Sequence, residues 1–178
     1  MSLAKFAVRG PAALALALAL GSCGGGPAPP SFVCPPPLTV QDASRITHFR
    51  DGAGRDPRDI AYEAVLVNAG SACKLGSKAI DVTVVMIVSV SAGPSVTAGE
   101  TRVPYFVRVI DGSGAVRQGQ DFTADFKLSA ASPRGESREE LSLSLPFNEL
   151  NDLTGYRIAV GLKPSPEELN YNRRAGSR

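Results

Sequence analysis

The chain has no tryptophan, one histidine, three cysteines and few aromatics, 6% of its 178 residues. So small a stock of His and Cys leaves little material for a metal or nucleophilic site. Charge of either sign is not in excess either, with 19 Lys+Arg against 17 Asp+Glu. Nucleic-acid partners need clustered cations, and no such surplus is present. Long apolar runs are also missing: the longest, Ala12 to Leu20, would reach only about 14 Å as a helix, against roughly 30 Å of hydrocarbon core.

That short run sits behind Lys5 and Arg9, and this order of a charged start and a brief apolar stretch reads as a secretory signal over residues 1–22. Removing it also removes both cations in excess, so the remaining chain has 17 basic and 17 acidic residues. Directly after it stands Leu20-Gly21-Ser22-Cys23. This resembles the lipobox of bacterial lipoproteins, an apolar residue and two small ones ahead of a cysteine. The resemblance implies cleavage before Cys23, a thioether-linked diacylglycerol on its sulfur and an N-acyl lipid on its new amino group; beyond these lipids no cofactor is assigned. It implies that the membrane is a partner through the anchor. Gly24, where an Asp would retain such a protein at the inner membrane, implies the outer membrane, facing the periplasm. Two or three acyl chains at about 0.8 kcal/mol per buried CH₂ hold firmly.

Residues 23–37 read as a lipidated tether, since GGGPAPPSFVCPPP carries nine Gly or Pro and no charge. With Cys23 assigned to lipid, Cys34 and Cys73 form an even pair in an exported chain and are expected to be a disulfide. Two free thiols are the other reading, but neither lies in a C-x-x-C arrangement.

From residue 38 to 164 the apolar pattern has period two. Strands are expected near Leu38–Gln41, near Arg45–Phe49, and from Ile60 to Val67, the last ending in a turn at Asn68-Ala69-Gly70-Ser71. Ile80 to Val90 reads as a central strand, apolar on both faces at mid-length. Thr101–Ile110, Ala115–Leu128, Glu140–Leu145 and Tyr156–Leu162 follow, with Pro104 placed near a strand start or on an edge. Seven or eight strands without αβ alternation give an all-β class, an antiparallel sandwich of immunoglobulin or fibronectin type III style, with a small barrel as the alternative. Residues 165–178 are a short helix and tail: Ser165-Pro166-Glu167-Glu168 combines an N-cap, Pro at N1 and Glu at N3, and Arg173 and Arg174 suit a helix end.

The most unusual loop runs from His48 to Asp59, with the single His, three Arg and three Asp. Its acids lack calcium-loop spacing and it lacks a phosphate-loop ending. His48 with Asp51 or Asp59 would suit acid–base work, but no nucleophile accompanies them. A solvated, internally salt-bridged connection accounts for the loop. If the domain has a functional patch it is here, in His48, Arg50, Arg55, Arg58 and Asp59, as a surface for an anionic envelope component. No G-x-S-x-G elbow occurs, and no catalytic or metal residue is assigned. The resulting expectation is a non-enzymatic binding or scaffolding module, like proteobacterial lipoproteins with one small β domain. The alternatives are an accessory subunit of an envelope assembly, or a small-ligand carrier or enzyme with a site near residues 48–59.

Overall fold

A computed structural model describes residues 32–52 and 54–176. The signal segment, Cys23 and the tether as far as Ser31 lie outside the described residues. Eight strands form two four-stranded sheets. One holds β1 (Pro37–Thr39), β8 (Arg157–Leu162), β5 (Gly99–Ile110) and β6 (Val116–Leu128), in that order across the sheet. The other holds β2 (Arg45–Phe49), β3 (Ile60–Leu75), β4 (Ala79–Ala92) and β7 (Arg134–Pro146). A C-terminal helix, α1 (Pro166–Gly176), follows β8.

The period-two pattern explains the layering. Ile80, Val82, Val84, Met86, Val88 and Val90 of β4 are all buried, and they share one cluster with Val103, Tyr105, Val107 and Val109 of β5. Ile158, Val160 and Leu162 of β8 and Leu141, Leu143 and Leu145 of β7 complete it. Each fully buried aliphatic side chain contributes about 1.5–3 kcal/mol, and because an unpaired buried polar group is costly, no buried side-chain N or O among the described residues lacks a hydrogen-bond partner.

The structure corrects the sequence expectations at four points. β1 runs parallel to β8, through Pro37↔Ile158 to Thr39↔Val160, so the sheets are not wholly antiparallel. A parallel neighbour needs a long crossover, and here the whole chain between the two strands supplies it. The expected turn at Asn68–Ser71 is strand: β3 continues to Leu75 through a bulge between Leu66 and Asn68. The bulge throws Val67 outward, 58% exposed, and moves the inward row from Ala64 and Leu66 to Ala69, Cys73 and Leu75. Pro104 lies five residues into a central strand, tolerated because the pairing of β5 with β8 begins only at Tyr105↔Leu162. Finally, β7 begins at Arg134, six residues before the strand expected over Glu140–Leu145. A 3₁₀ segment, Leu150–Gly155, was not signalled in the sequence; it buries Leu153.

The long strand β3 sets the geography. His48 pairs with Tyr62 near its start, and Cys73 lies near its end. Those positions are eleven steps apart along the strand, about 36 Å at 3.3 Å each. The His48–Asp59 loop therefore occupies one end of the molecule, and the N-terminal segment enters at the other.

Candidate functional site

The loop begins where β2 ends. His48 is the penultimate residue of the strand, its ring stacked on Tyr62 with centroids 4.7 Å apart. Its Nδ1 meets Glu168 Oε1 of α1 at 2.8 Å. The helix start explains why Glu168 is there. Ser165 accepts from the Glu168 N–H at 3.3 Å, and Glu168 Oε2 accepts from the Ser165 N–H at 2.7 Å. That is the capping box read from the sequence, but its carboxylate has a second task in receiving His48.

Hydrogen bonding to Glu168 raises the His48 pKa above its ordinary value, against the opposing effect of burial; the charges of Glu168 and Asp51 add to it. For Glu168, burial alone would push the pKa up, but the bonds from His48 and Ser165 outweigh it and hold the carboxyl below its usual range. Burial, aided by the nearby Glu168 charge, pushes the Tyr62 hydroxyl up to about 12. The three form a partly buried cluster that ties α1 to the sheet. Nearby, Tyr171 sets its ring edge-on to Phe49, 4.9 Å away. Thr47 is buried against the helix and bonds Asn172 Oδ1 at 3.3 Å, while Asn172 Nδ2 donates to the Arg45 carbonyl at 2.8 Å.

Every arginine of the loop is paired within the chain. Arg50 meets Asp59 at 3.3 Å, and Arg58 grips Asp56 through Nε and Nη2 at 2.9 and 3.1 Å. Asp56 also caps the short 3₁₀ turn Pro57–Asp59 by accepting from the Arg58 N–H. Arg55 pairs with Glu167 of α1 and lies over the Phe49 ring, 5.0 Å from its centroid. Acid–base partnership of His48 with Asp59 is not what the fold brings together, since Asp59 serves Arg50. Asp51 reaches His48 only through its charge.

The structure thus gathers His48, Arg50, Arg55 and Asp59 at one end of the molecule and adds Tyr62, Glu167 and Glu168, which the sequence reading had given other roles. Two open clefts flank the His48–Arg50–Asp51 ridge. One, of about 560 Å³, runs over Tyr62 towards Val96, Glu100 and Arg102. The other, of about 420 Å³, lies between Arg55, Ser165 and Glu167. Among the described residues no group of three or more His, Cys, Asp or Glu is placed to hold a metal ion. No described helix is long and apolar enough to cross a membrane.

At the other end Cys34 and Cys73 are bonded, their Cα atoms 5.7 Å apart. Ser71 donates to the Pro35 carbonyl at 2.8 Å, and Phe32 packs against the core cluster. Cys23 lies outside the described residues. Set against known proteins, the chain matches no family model, no curated protein and no solved structure.

Proposed function

We propose that this chain is an envelope lipoprotein: a non-enzymatic binding or scaffolding module, anchored through acylated Cys23 to the periplasmic face of the outer membrane. The observation that carries the reading is the separation of the two ends. The N-terminal segment is fixed at Phe32 and the Cys34–Cys73 bond, while the His48–Asp59 loop lies at the far end of β3. A tether at one pole presents the opposite pole to whatever the periplasm offers. There the ridge of His48, Arg50 and Arg55 faces solvent with an envelope protein or anionic component as its partner.

The sandwich itself fits an immunoglobulin-like plan. In that plan strand B neighbours E in one sheet and C neighbours F in the other. Here β4 lies against β7 and β5 against β8, with β6 returning as a hairpin partner of β5. The place beside F that strand G would take is filled by β1, running parallel.

Two measurements test the function. Cys23→Ser is expected to move the protein from the membrane to the soluble periplasmic fraction, and retention in membranes refutes the anchor. Photo-crosslinkers placed at Arg55 and, as a control, at Lys78 in living cells are expected to capture a partner from Arg55 alone. Equal capture at both positions, or none at Arg55, removes the His48–Asp59 end as the binding face.

A further inference from the structure

β7 is an open margin of its sheet, paired with β4 alone along Arg134–Pro146. Two bonds fix which of its groups are engaged. Ala92 N–H donates to the Pro133 carbonyl at 2.7 Å, and Phe147 N–H to the Lys78 carbonyl at 3.0 Å. Odd-numbered residues therefore exchange bonds with β4. In an antiparallel ladder a residue points its N–H and C=O to the same neighbour, so the even-numbered residues offer theirs to the open side. The Gln118 amide reaching the Ser144 carbonyl at 3.2 Å agrees with that parity.

The even residues are also those whose side chains stand on the outer face, and four of them alternate in sign: Arg134, Glu136, Arg138 and Glu140, all exposed. Charges on an edge strand ordinarily discourage pairing. A run of one sign would do so in every register, whereas alternation leaves one register favoured. Two antiparallel copies centred on Ser137 place Arg134 opposite Glu140 and Glu136 opposite Arg138, twice each by symmetry. A slip of two residues either way sets Glu136 against Glu136 or Arg138 against Arg138, which is unfavourable. The inward row fits the same register. Gly135, with no side chain, faces Glu139, which Tyr105 already holds at 2.7 Å and Ser137 also bonds.

The other margins do not offer this. β1 has three residues and β2 five, with α1 packed on the latter. β6 is long, but its outward row, Arg117, Gly119, Asp121, Thr123, Asp125 and Lys127, is broken by Gly119 and Thr123 and does not alternate in sign from one outward position to the next, as β7 does from Arg134 to Glu140.

We propose that β7 pairs antiparallel with β7 of a second copy of this chain about a two-fold axis at Ser137, joining two four-stranded sheets into one of eight. The axis sends the two Cys34–Cys73 ends in opposite directions. The proposal does not draw on the reading of the His48–Asp59 end, but the same axis also points the two His48–Asp59 ends in opposite directions, so in the pair they do not face one side together.

The test uses the full-length chain in sedimentation velocity. Wild type is expected to be a dimer, and Glu136→Arg and Arg138→Glu singly to weaken it by at least about tenfold, because each makes two symmetry-related like-charge oppositions. The double variant Glu136→Arg/Arg138→Glu restores every opposite pair and is expected to restore the dimer. Ser137→Cys is expected to cross-link the two copies on oxidation. A monomeric wild type overturns the proposal, as does a dimer indifferent to the single charge reversals. A natively folded double variant that stays monomeric also overturns it, because restored charge would then be insufficient.

Discussion

Removing the Cys34–Cys73 bond tests how the N-terminal segment is held. The cross-link closes a loop spanning 39 positions, and in the chain-entropy model a loop of that length stabilises by about 4 kcal/mol. The competing account is that the segment stays in place by its own contacts. Those are few: Phe32 packs partly buried on the core, Ser71 bonds the Pro35 carbonyl, and β1 contributes three residues. Half-burying a phenylalanine contributes only about 1 kcal/mol, so the covalent term is the larger. In urea, with a slope of about 1–3 kcal/mol/M, the Cys34→Ser/Cys73→Ser chain should lose more than about 1 M in midpoint with little change of slope. Phe32→Ala in the oxidised chain should lose less than about half of that. The assay is far-UV circular dichroism on oxidised, reduced and doubly substituted protein. Midpoints agreeing within about 0.3 M, or Phe32→Ala matching the double substitution, would refute the reasoning.

The His48–Glu168 pair makes a pH prediction. Because the folded His48 pKa is raised, its contribution is complete below the unfolded value and fades as pH rises through the folded one. Glu168 is lowered, so its contribution is present above its unfolded pKa and is lost as pH falls through the folded one. The pair therefore supports α1 most strongly between those limits. Wild type should melt above His48→Gln at mildly acidic pH and converge with it in alkali; a gap that does not change with pH would contradict this. At the tip of the same end, a Cβ on Gly93 would lie 2.2 Å from the Ile60 carbonyl oxygen, backbone that no rotamer change can move. Gly93→Ala should cost about 2 kcal/mol or more, read as a drop of several degrees in melting temperature. An unchanged melting temperature would mean that the β3–β4 margin yields more freely than its packing implies.

What the sequence showed and hid follows from physics acting on particular residues. β4 is plain because its six inward residues keep strict alternation along a strand without interruption. β3 is half hidden because the bulge at Val67 shifts the alternation by one, so a reader counting in twos sees an ending where the strand merely changes parity. The first half of β7 escapes for a different reason. Its outward row is fully charged and its inward row there is Gly135, Ser137 and Glu139, so no apolar period remains to be counted. The Ser165–Glu168 cap was legible as a local signal of four residues. The contact of Glu168 with His48 was not, because 120 positions separate them and only the packing of α1 on β2 joins them.

The same long-range packing changes how the His48–Asp59 end works. Counted in sequence, Arg50, Arg55 and Arg58 are three cations; in the fold each already has a carboxylate, from Asp59, Glu167 and Asp56. On the proposed reading, an anionic partner would exchange one exposed ion pair for another, and such pairs differ little in free energy, about 0–1 kcal/mol. Charge alone therefore gives this end little affinity. On that reading, selectivity would come from shape, from the clefts on either side of the His48 ridge. Arg55 is the exchangeable member, since its partner Glu167 is exposed and the Phe49 ring can keep the guanidinium in place when the carboxylate leaves. Glu167→Gln should then strengthen binding of an anionic partner while leaving the His48–Glu168 tie intact.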